Sequence, residues 1–385
     1  MEHERKGVIS CRGLPFGRAG LGVGAVVVGV AVFGAVAEGR SCSREMVDDA
    51  ACEVSTTPAD LDAVTIPATG DVLIVTDGLT IHRSTDHGRT FSTEDPAIEG
   101  RWPSVLAHGT DLLLAAGFWG SVESRIFVVR SPDGGQTFGT PAVVAESFGA
   151  RLIDPELVRL ADGRLLLFFT EITGVSIIHL MESVDGGLSW SPVATPIIGP
   201  AGARVEDGKA IVLASGVVLF GYELEFVEQG RSRLEQIASA DVGRTWSLPT
   251  VLWDHVGDAD VEPGGYLVTS TGELWFVAST DEDNVDVGRV YANAIVKRRT
   301  SSDGGETWSD PATLVPVPDQ IIFGVTAIGD GLVGLATVRH YSDPPRVATF
   351  YRVPDTRPGE VLCSDTLFVS SFEYGLDGGW SAVRP

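Results

Sequence analysis

Three features of the sequence point to an all-β fold, a six-bladed β-propeller with four-stranded antiparallel blades. The first is an eight-residue phrase said five times. It reads STDHGRTF at Ser84–Phe91, SPDGGQTF at Ser131–Phe138, SVDGGLSW at Ser183–Trp190, SADVGRTW at Ser239–Trp246 and SSDGGETW at Ser301–Trp308. The starts lie 47, 52, 56 and 62 residues apart, a period that marks a repeat architecture. The second is a rhythm of three extended segments ahead of the phrases, four strands per unit being the propeller blade. The third is length: from Leu61 to the C-terminus roughly 325 residues remain, enough for six units of about 50.

Each phrase reads as a hairpin turn. Its Asp can bond backbone N–H groups of its own loop, with Ser and Thr doing so more weakly. Its Gly supplies a positive φ, and its closing Phe or Trp seeks burial against a neighbour. Runs rich in β-formers precede it, such as Ile126–Ser131, Val175–Ser183 and Asn293–Ser301.

The strands follow in order. Asp71–Thr76 and Leu79–Ser84 precede the first phrase. Trp102–Ala107, Asp111–Gly117 and Arg125–Ser131 precede the second, and Pro155–Leu160, Arg164–Thr170 and Val175–Ser183 the third. Val205–Leu213, Val217–Tyr222 and Ser232–Ser239 precede the fourth, and Gly265–Thr269, Glu273–Ser279 and Arg289–Ser301 the fifth. Gly-containing turns such as Ala161-Asp162-Gly163 separate them. Ile321–Ile328, Leu332–Arg339 and Arg346–Arg352 complete a sixth set without a clean sixth phrase.

Composition narrows the function classes. A hydrophobic content of 44% fits a globular chain, and a net charge of −24 argues against nucleic acid and anionic membrane surfaces. At the N-terminus, Arg5, Lys6, Arg12 and Arg18 precede an apolar run, Leu21–Ala37, closing on Ala35-Val36-Ala37. Residues 1–37 therefore read as a signal peptide, with an uncleaved anchor as the alternative. A linker over 38–60 and a propeller over 61–385 follow. The expected location is secreted, cell-surface or periplasmic, with a membrane contact only if the leader is kept. Disulfides are then permitted. Cys52–Cys363 is the expected pair, because a closed ring brings its ends together; Cys42–Cys52 is the alternative.

The phrase resembles the Asp box, or bacterial neuraminidase repeat, of the sialidase-like propellers. All four signature positions, Ser-x-Asp-x-Gly-x-(Thr/Ser)-aromatic, are filled in five copies. The resemblance implies that the box joins the third and fourth strands of a blade, away from the central pocket. Asp86, Asp133, Asp185, Asp241 and Asp303 are then structural.

Ligands of a propeller meet the mouth of its central channel. Counting 17 to 21 residues from a box start reaches Arg101, Arg151 and Arg204 in three consecutive blades. Guanidinium forks hold carboxylates; the resemblance implies a grip on an acidic sugar, and pairing with Asp154 or Glu206 is the plainer reading. The second-to-third-strand loops add Trp119, Glu123, Glu171, Tyr222 with Glu223 and Glu225, Asp281, Asp283, His340 and Tyr341.

Matched to the family, Arg101-Trp102-Pro103 is the nearest counterpart of an Arg-Ile-Pro motif. Glu123 stands where the family has an acid/base Asp, and Glu262 resembles the Glu that polarises the nucleophile. Ser279 falls where the family has an Arg of its triad, and Phe323 where it has the nucleophilic Tyr. Only Tyr222 or Tyr341 could supply that hydroxyl. The resemblance thus implies a propeller that binds a glycan or another anionic ligand with an incomplete catalytic set; an active exo-sialidase-type glycoside hydrolase is the alternative. No cofactor is expected. Asp281, Asp283 and Asp286 are spaced loosely like a calcium loop but lack its bidentate Glu, and no His or Cys pair has zinc spacing.

Overall fold

The computed structural model describes residues 8–10, 51–55, 60–226, 228, 231–254, 260–281, 293–339, 346–355, 373–374 and 380–381. Strands dominate them, with a single short 3-10 turn at Asp77–Leu79. They form six antiparallel sheets around one axis. From the axis outward, blade 1 is Leu61–Thr65, Val72–Thr76, Ile81–Ser84 and Thr90–Glu94, with Val8–Ser10 on its outer edge. Blade 2 is Arg101–His108, Asp111–Trp119, Ser124–Ser131 and Ala142–Ser147. Blade 3 is Arg151–Arg159, Leu165–Ile172, Ser176–Ser183 and Ser191–Ile198. Blade 4 is Arg204–Val212, Val218–Phe226, Arg231–Ser239 and Thr250–Trp253. Blade 5 is Val261–Val268, Leu274–Thr280, Ile295–Ser301 and Ala312–Val315.

Blade 6 is Gln320–Gly329, Leu332–Arg339 and Val347–Pro354, and its outer strand is Ala51–Ser55. Residues 51–55 are expected from the sequence to lie in the linker. Their partner strand lies some three hundred residues away, so no local pattern announces the pairing. The N-terminal side of the propeller thereby closes its last blade. Cys52 lies in this strand, but its side chain is outside the description, as are Cys42, Cys363 and, apart from Val8–Ser10, residues 1–37. Glu373–Tyr374 and Trp380–Ser381 form a separate two-stranded ladder.

The cores lie between blades rather than at the axis. Strand alternation explains this: successive side chains point to opposite faces. Leu112, Leu114 and Ala116 pack toward blade 1, while Leu113 and Ala115 pack toward blade 3. Every one of the six blade interfaces has such a cluster. Phe168 stacked on Phe220 at 4.3 Å joins blades 3 and 4, and burial of each such side chain contributes about 1.5–3 kcal/mol.

Serines add polar ties between blades. The Leu152 amide donates to Ser124 Oγ at 2.9 Å, Val261 to Ser232 at 3.0 Å, and Ile322 to Ser279 at 2.8 Å. Ser279 is therefore a buried tie from blade 5 to blade 6.

The boxes build one hydrogen-bond pattern five times. In the second, Ser131 Oγ accepts the Gly135 amide at 2.7 Å and donates to Asp133 Oδ1 at 2.8 Å. That oxygen also accepts the Thr137 amide at 2.8 Å, and Oδ2 accepts the Thr137 hydroxyl at 2.6 Å. The box glycine holds φ between 79° and 91° in all five copies. At Gly243 a Cβ would also lie 2.5 Å from Leu180 Cδ2. The hydroxyl that follows in each loop, Thr137, Ser189, Thr245 or Thr307, pulls Asp133, Asp185, Asp241 and Asp303 down to about 2.

Ser131→Ala should leave the buried Gly135 amide without a partner. The expected cost is about 1–3 kcal/mol, measured as a lower urea midpoint with an unchanged slope; an unaltered midpoint would show that the tie is dispensable.

Candidate functional site

Antiparallel alternation puts the starts of the inner strands and the second-to-third-strand hairpins at one end of the ring, and the boxes at the other. At the first end the inner strands are irregular. Those of blades 2, 3 and 4 each carry a two-residue bulge: Trp102-Pro103, Asp154-Pro155 and Asp207-Gly208. The leading residues hold left-handed φ values of 53°, 50° and 52°. Such conformations cost about 1–3 kcal/mol each in a non-glycine residue, and bulges re-aim the chain. All six residues, with Asp60, Leu61, Lys209 and Phe323, line an axial cavity of about 30 Å³. That volume suits a water molecule or two. Blades 5 and 6 have one-residue bulges at Gly264 and Phe323.

Carboxylates of one blade hold the bulge of another. Asp77 Oδ1 accepts the Trp102 amide at 3.1 Å, and Asp154 Oδ2 the Asp207 amide at 3.4 Å. Asp62 of blade 1, and the residues two positions after the leading residues of blades 2 and 3, also reach outward. Asp62 Oδ2 accepts the Val105 amide at 2.8 Å, Ser104 Oγ the Leu157 amide at 3.0 Å, and Glu156 Oε1 the Ala210 amide at 3.1 Å. In blade 4 this position is Lys209, whose Nζ donates to the Phe323 carbonyl in blade 6 at 3.0 Å.

Acids crowd this end. One carboxylate oxygen each from Asp207, Glu223 and Glu262 lies within 4.8 Å of the others. Burial, then the charges of Asp77 and Asp207, holds Asp60 well above the carboxylate range; burial, then Asp207 and Glu206, does the same for Asp154. Glu223 is raised by burial and by Asp207. Burial lifts Asp62 to about 6, Glu156 to about 7 and Glu206 to about 7, with Asp207 adding to the last. Desolvation pulls Lys209 down, but Glu156, Asp62, Asp207 and Glu262 outweigh it and its net direction is up. The set can hold both protonated and ionised carboxyls near neutral pH, as acid/base chemistry requires.

The arginines named from sequence separate into two kinds. Arg101 immediately precedes a leading bulge residue, whereas Arg151 and Arg204 stand three before theirs. The box-to-arginine count differs by the length of intervening turns, and that hides the offset. The Arg151 guanidinium lies 4.6 Å from the Trp119 ring and 5.3 Å from the Trp102 ring. Arg204 pairs with Glu225 at 3.4 Å. The charge of Arg101 acts on Asp77.

Of the remaining named residues, Glu262 joins the acid cluster. Glu123 is half-exposed beside Arg125 at 3.4 Å, and Glu171 meets His179 Nε2 at 2.7 Å. Tyr222, Glu223 and Glu225, read as loop residues, lie inside the strand Val218–Phe226, which runs past its expected end. Tyr222 is buried in the core between blades 3 and 4, and its hydroxyl donates to Glu235 at 2.6 Å. Phe323 lines the axial cavity. Asp281 accepts the Asp260 amide at 2.8 Å; Asp283, Asp286, His340 and Tyr341 lie outside the described residues.

Asp62, Glu156, Asp207 and Lys209 are not among the residues singled out from the sequence. Their signal is present: charges at alternate positions of the inner strands, Asp60 and Asp62, Asp154 and Glu156, Asp207 and Lys209.

Residues 71–259 match the BNR repeat-like domain. Similar solved structures include a Hadza microbial sialidase, Hz136, at 17% identity and TM-score 0.54, over 76% of this chain and 65% of that one. The chain thus spans about two thirds of that sialidase. A Penicillium chrysogenum alpha-L-arabinanase complexed with arabinobiose matches at 14% identity and TM-score 0.59, over 81% and 99%. The intramolecular trans-sialidase of Ruminococcus gnavus matches at 13% and 0.56, over 78% and 95%. No curated protein sequence matches this one. Residues 71–259 thus carry a BNR repeat-like domain, and the chain has the β-propeller fold of these structures. No helix among the described residues is long and apolar enough to cross a membrane.

The shifted carboxyls predict a stability profile. Asp62, Glu156 and Glu206 keep protons in the folded chain up to about 6 or 7, which an unfolded chain releases near 4. Stability therefore falls as pH rises between those values. The box aspartates act oppositely, losing their contribution only as pH drops from about 4 toward 2. The unfolding temperature should peak near pH 4–5 and decline toward 8, with Glu156→Gln flattening the decline. A midpoint that climbs from pH 5 to 8 would contradict this.

Proposed function

We propose that the protein binds a glycan at the bulged end of its axis, and that a sugar without a carboxylate is preferred there. The observation that carries this is the Arg151 guanidinium over the rings of both Trp119 and Trp102, with Trp119 53% exposed. Indole faces with convergent carboxylates suit a sugar ring, which offers C–H faces and hydroxyl donors. The charge balance speaks against an acidic sugar. Buried acids surround the axis, and Arg204 is paired with Glu225. Both sialidases and an arabinanase share the fold, which supports a glycan partner without choosing the sugar.

A second reading, glycoside hydrolysis, is favoured by the oxygens of Asp207, Glu223 and Glu262 within 4.8 Å. Carboxyls about 5–5.5 Å apart serve retaining hydrolases: one attacks the anomeric carbon, and a protonated neighbour gives its proton to the departing oxygen. The same neighbour then takes a proton from the water that releases the sugar. Tyr222, turned into the inter-blade core, is poorly placed to replace a carboxylate as nucleophile.

Export is part of the proposal. The basic residues and apolar run before Ala37 support it, and a mature protein beginning at or after Glu38 in the exported fraction would verify it.

On a glycan array with arabino-oligosaccharides, other neutral glycans and sialosides, neutral sugars should bind best. Trp119→Ala and Arg151→Ala should each weaken binding about tenfold, about 1.4 kcal/mol. Binding to no sugar, or sialoside binding that survives both substitutions, would sink the assignment. If the site hydrolyses its ligand, Asp207→Asn and Glu262→Gln should abolish turnover yet keep binding.

A further inference from the structure

We propose that the groove between blades 1 and 2 is a second binding site. Its occupant is an extended peptide segment of a partner protein, apolar over most of its length and ending in lysine or arginine.

The groove is separate from the axial cavity and has a volume of about 820 Å³. Ligand clefts run from about 300 to 1,000 Å³. Both blades line it, with Ile81 and Glu94 from blade 1 and Phe118, Arg125, Phe127 and Val143 from blade 2. Residues 95–99 bound it at the bulged end of the ring, and the second box bounds it at the other. From Arg125 the wall follows the strand Ser124–Ser131 to Arg130, whose carbonyl accepts the amide of the lining residue Gly139 at 2.9 Å. Five steps of extended chain cover about 17 Å, which a peptide of about five residues matches. A single small amine would leave most of the floor bare.

The floor is apolar because it is the open margin of the core between these blades. Ile98, Phe118 and Phe138 pack on that core and stay partly exposed, and Val143 is 53% exposed. Phe138 closes the second box with a phenyl ring, where the third, fourth and fifth boxes carry Trp190, Trp246 and Trp308. Apolar side chains laid here would take both surfaces out of water.

Charge selects the end group. Glu94, Asp95 and Glu99 line the groove at the bulged end, and none of the three has an ion-pair partner among the described residues. Arg125, the one cation of the described lining, is 3.4 Å from Glu123 and 4.7 Å from the centre of the Phe118 ring. Negative charge is therefore in excess at that end, on a chain whose net charge of −24 already draws cations. Lysine and arginine lay an apolar stem on such a floor and carry the charged head to the acids.

The test uses the full chain and two capped five-residue peptides, leucine, phenylalanine and leucine followed by two lysines or by two glutamates. In calorimetric titration the lysine peptide should bind about tenfold or more tightly than its acidic twin, and added salt should weaken it. Glu94→Gln combined with Glu99→Gln should weaken it about tenfold. Phe138→Trp, which keeps an aromatic at the box position, should narrow the groove and cost a similar factor. If Phe138→Trp fails to fold, Val143→Arg sets a bulky cation on an exposed wall position and serves the same purpose. No binding of the lysine peptide, equal binding of both peptides, or binding that survives these substitutions would overturn the proposal. Arabino-oligosaccharide binding lost in Phe138→Trp would make the groove a sugar site, and self-association lost in Phe138→Trp would assign it to a second copy of the chain; either result overturns the peptide assignment. The axial glycan reading is judged separately, by Trp119→Ala.

Discussion

Six inner strands converge on one axis, and each must find partners for its polar groups in a neighbouring blade. Sheet ladders satisfy the backbone within a blade but offer nothing across the gap between blades. The chain answers with side chains. Asp77, Asp154, Asp62, Ser104, Glu156 and Ser279 each accept an amide from another blade. Those contacts fix where the strands bulge, and the bulges decide what faces the channel. Apolar packing between blades supplies the bulk of the stabilisation, but it tolerates sliding. The directed hydrogen bonds set the register.

The same constraint concentrates charge. An acceptor strong enough to hold a strained bulge is best supplied by a carboxylate, and several such groups around one axis repel. Burial and mutual repulsion raise their proton affinities, and Lys209 offsets part of the repulsion. An end of the ring that had to be polar to close is therefore also chemically poised. The boxes lie at the opposite end, exposed and strongly ionised, and hold hairpins shut. One residue type, aspartate, does two jobs, and its surroundings separate them.

Much of the architecture was legible in the sequence because it is local. A Ser, Asp, Gly and Thr within eight residues meet in one turn whatever the rest of the chain does, so five copies marked five blades. Alternating apolar residues located the strands between them. The closure by residues 51–55 was not legible, because a five-residue strand is recognisable only beside its distant partner. The axial site was half legible. Glu262 and Trp119 were found, and Arg151 was named for its charge although its flanking indoles were invisible. Tyr222 was read as a mouth residue, yet its strand continues and turns it into the core. The equivalence of Arg101 with Arg151 and Arg204 depended on counting from the boxes, and turn lengths made that ruler two residues inaccurate.

By itself the sequence determined the repeat, the blade number, the hairpin chemistry of the boxes and the acidity of the chain. The box chemistry rests on residues within one turn, and the repeat, blade number and acidity on counting along the chain. Tertiary structure decided which charges share the axis. Asp62, Glu156, Lys209 and Glu262 come from four blades. Their encounter depends on strand register and bulge position, which are set only when the ring closes and every buried amide must find an acceptor.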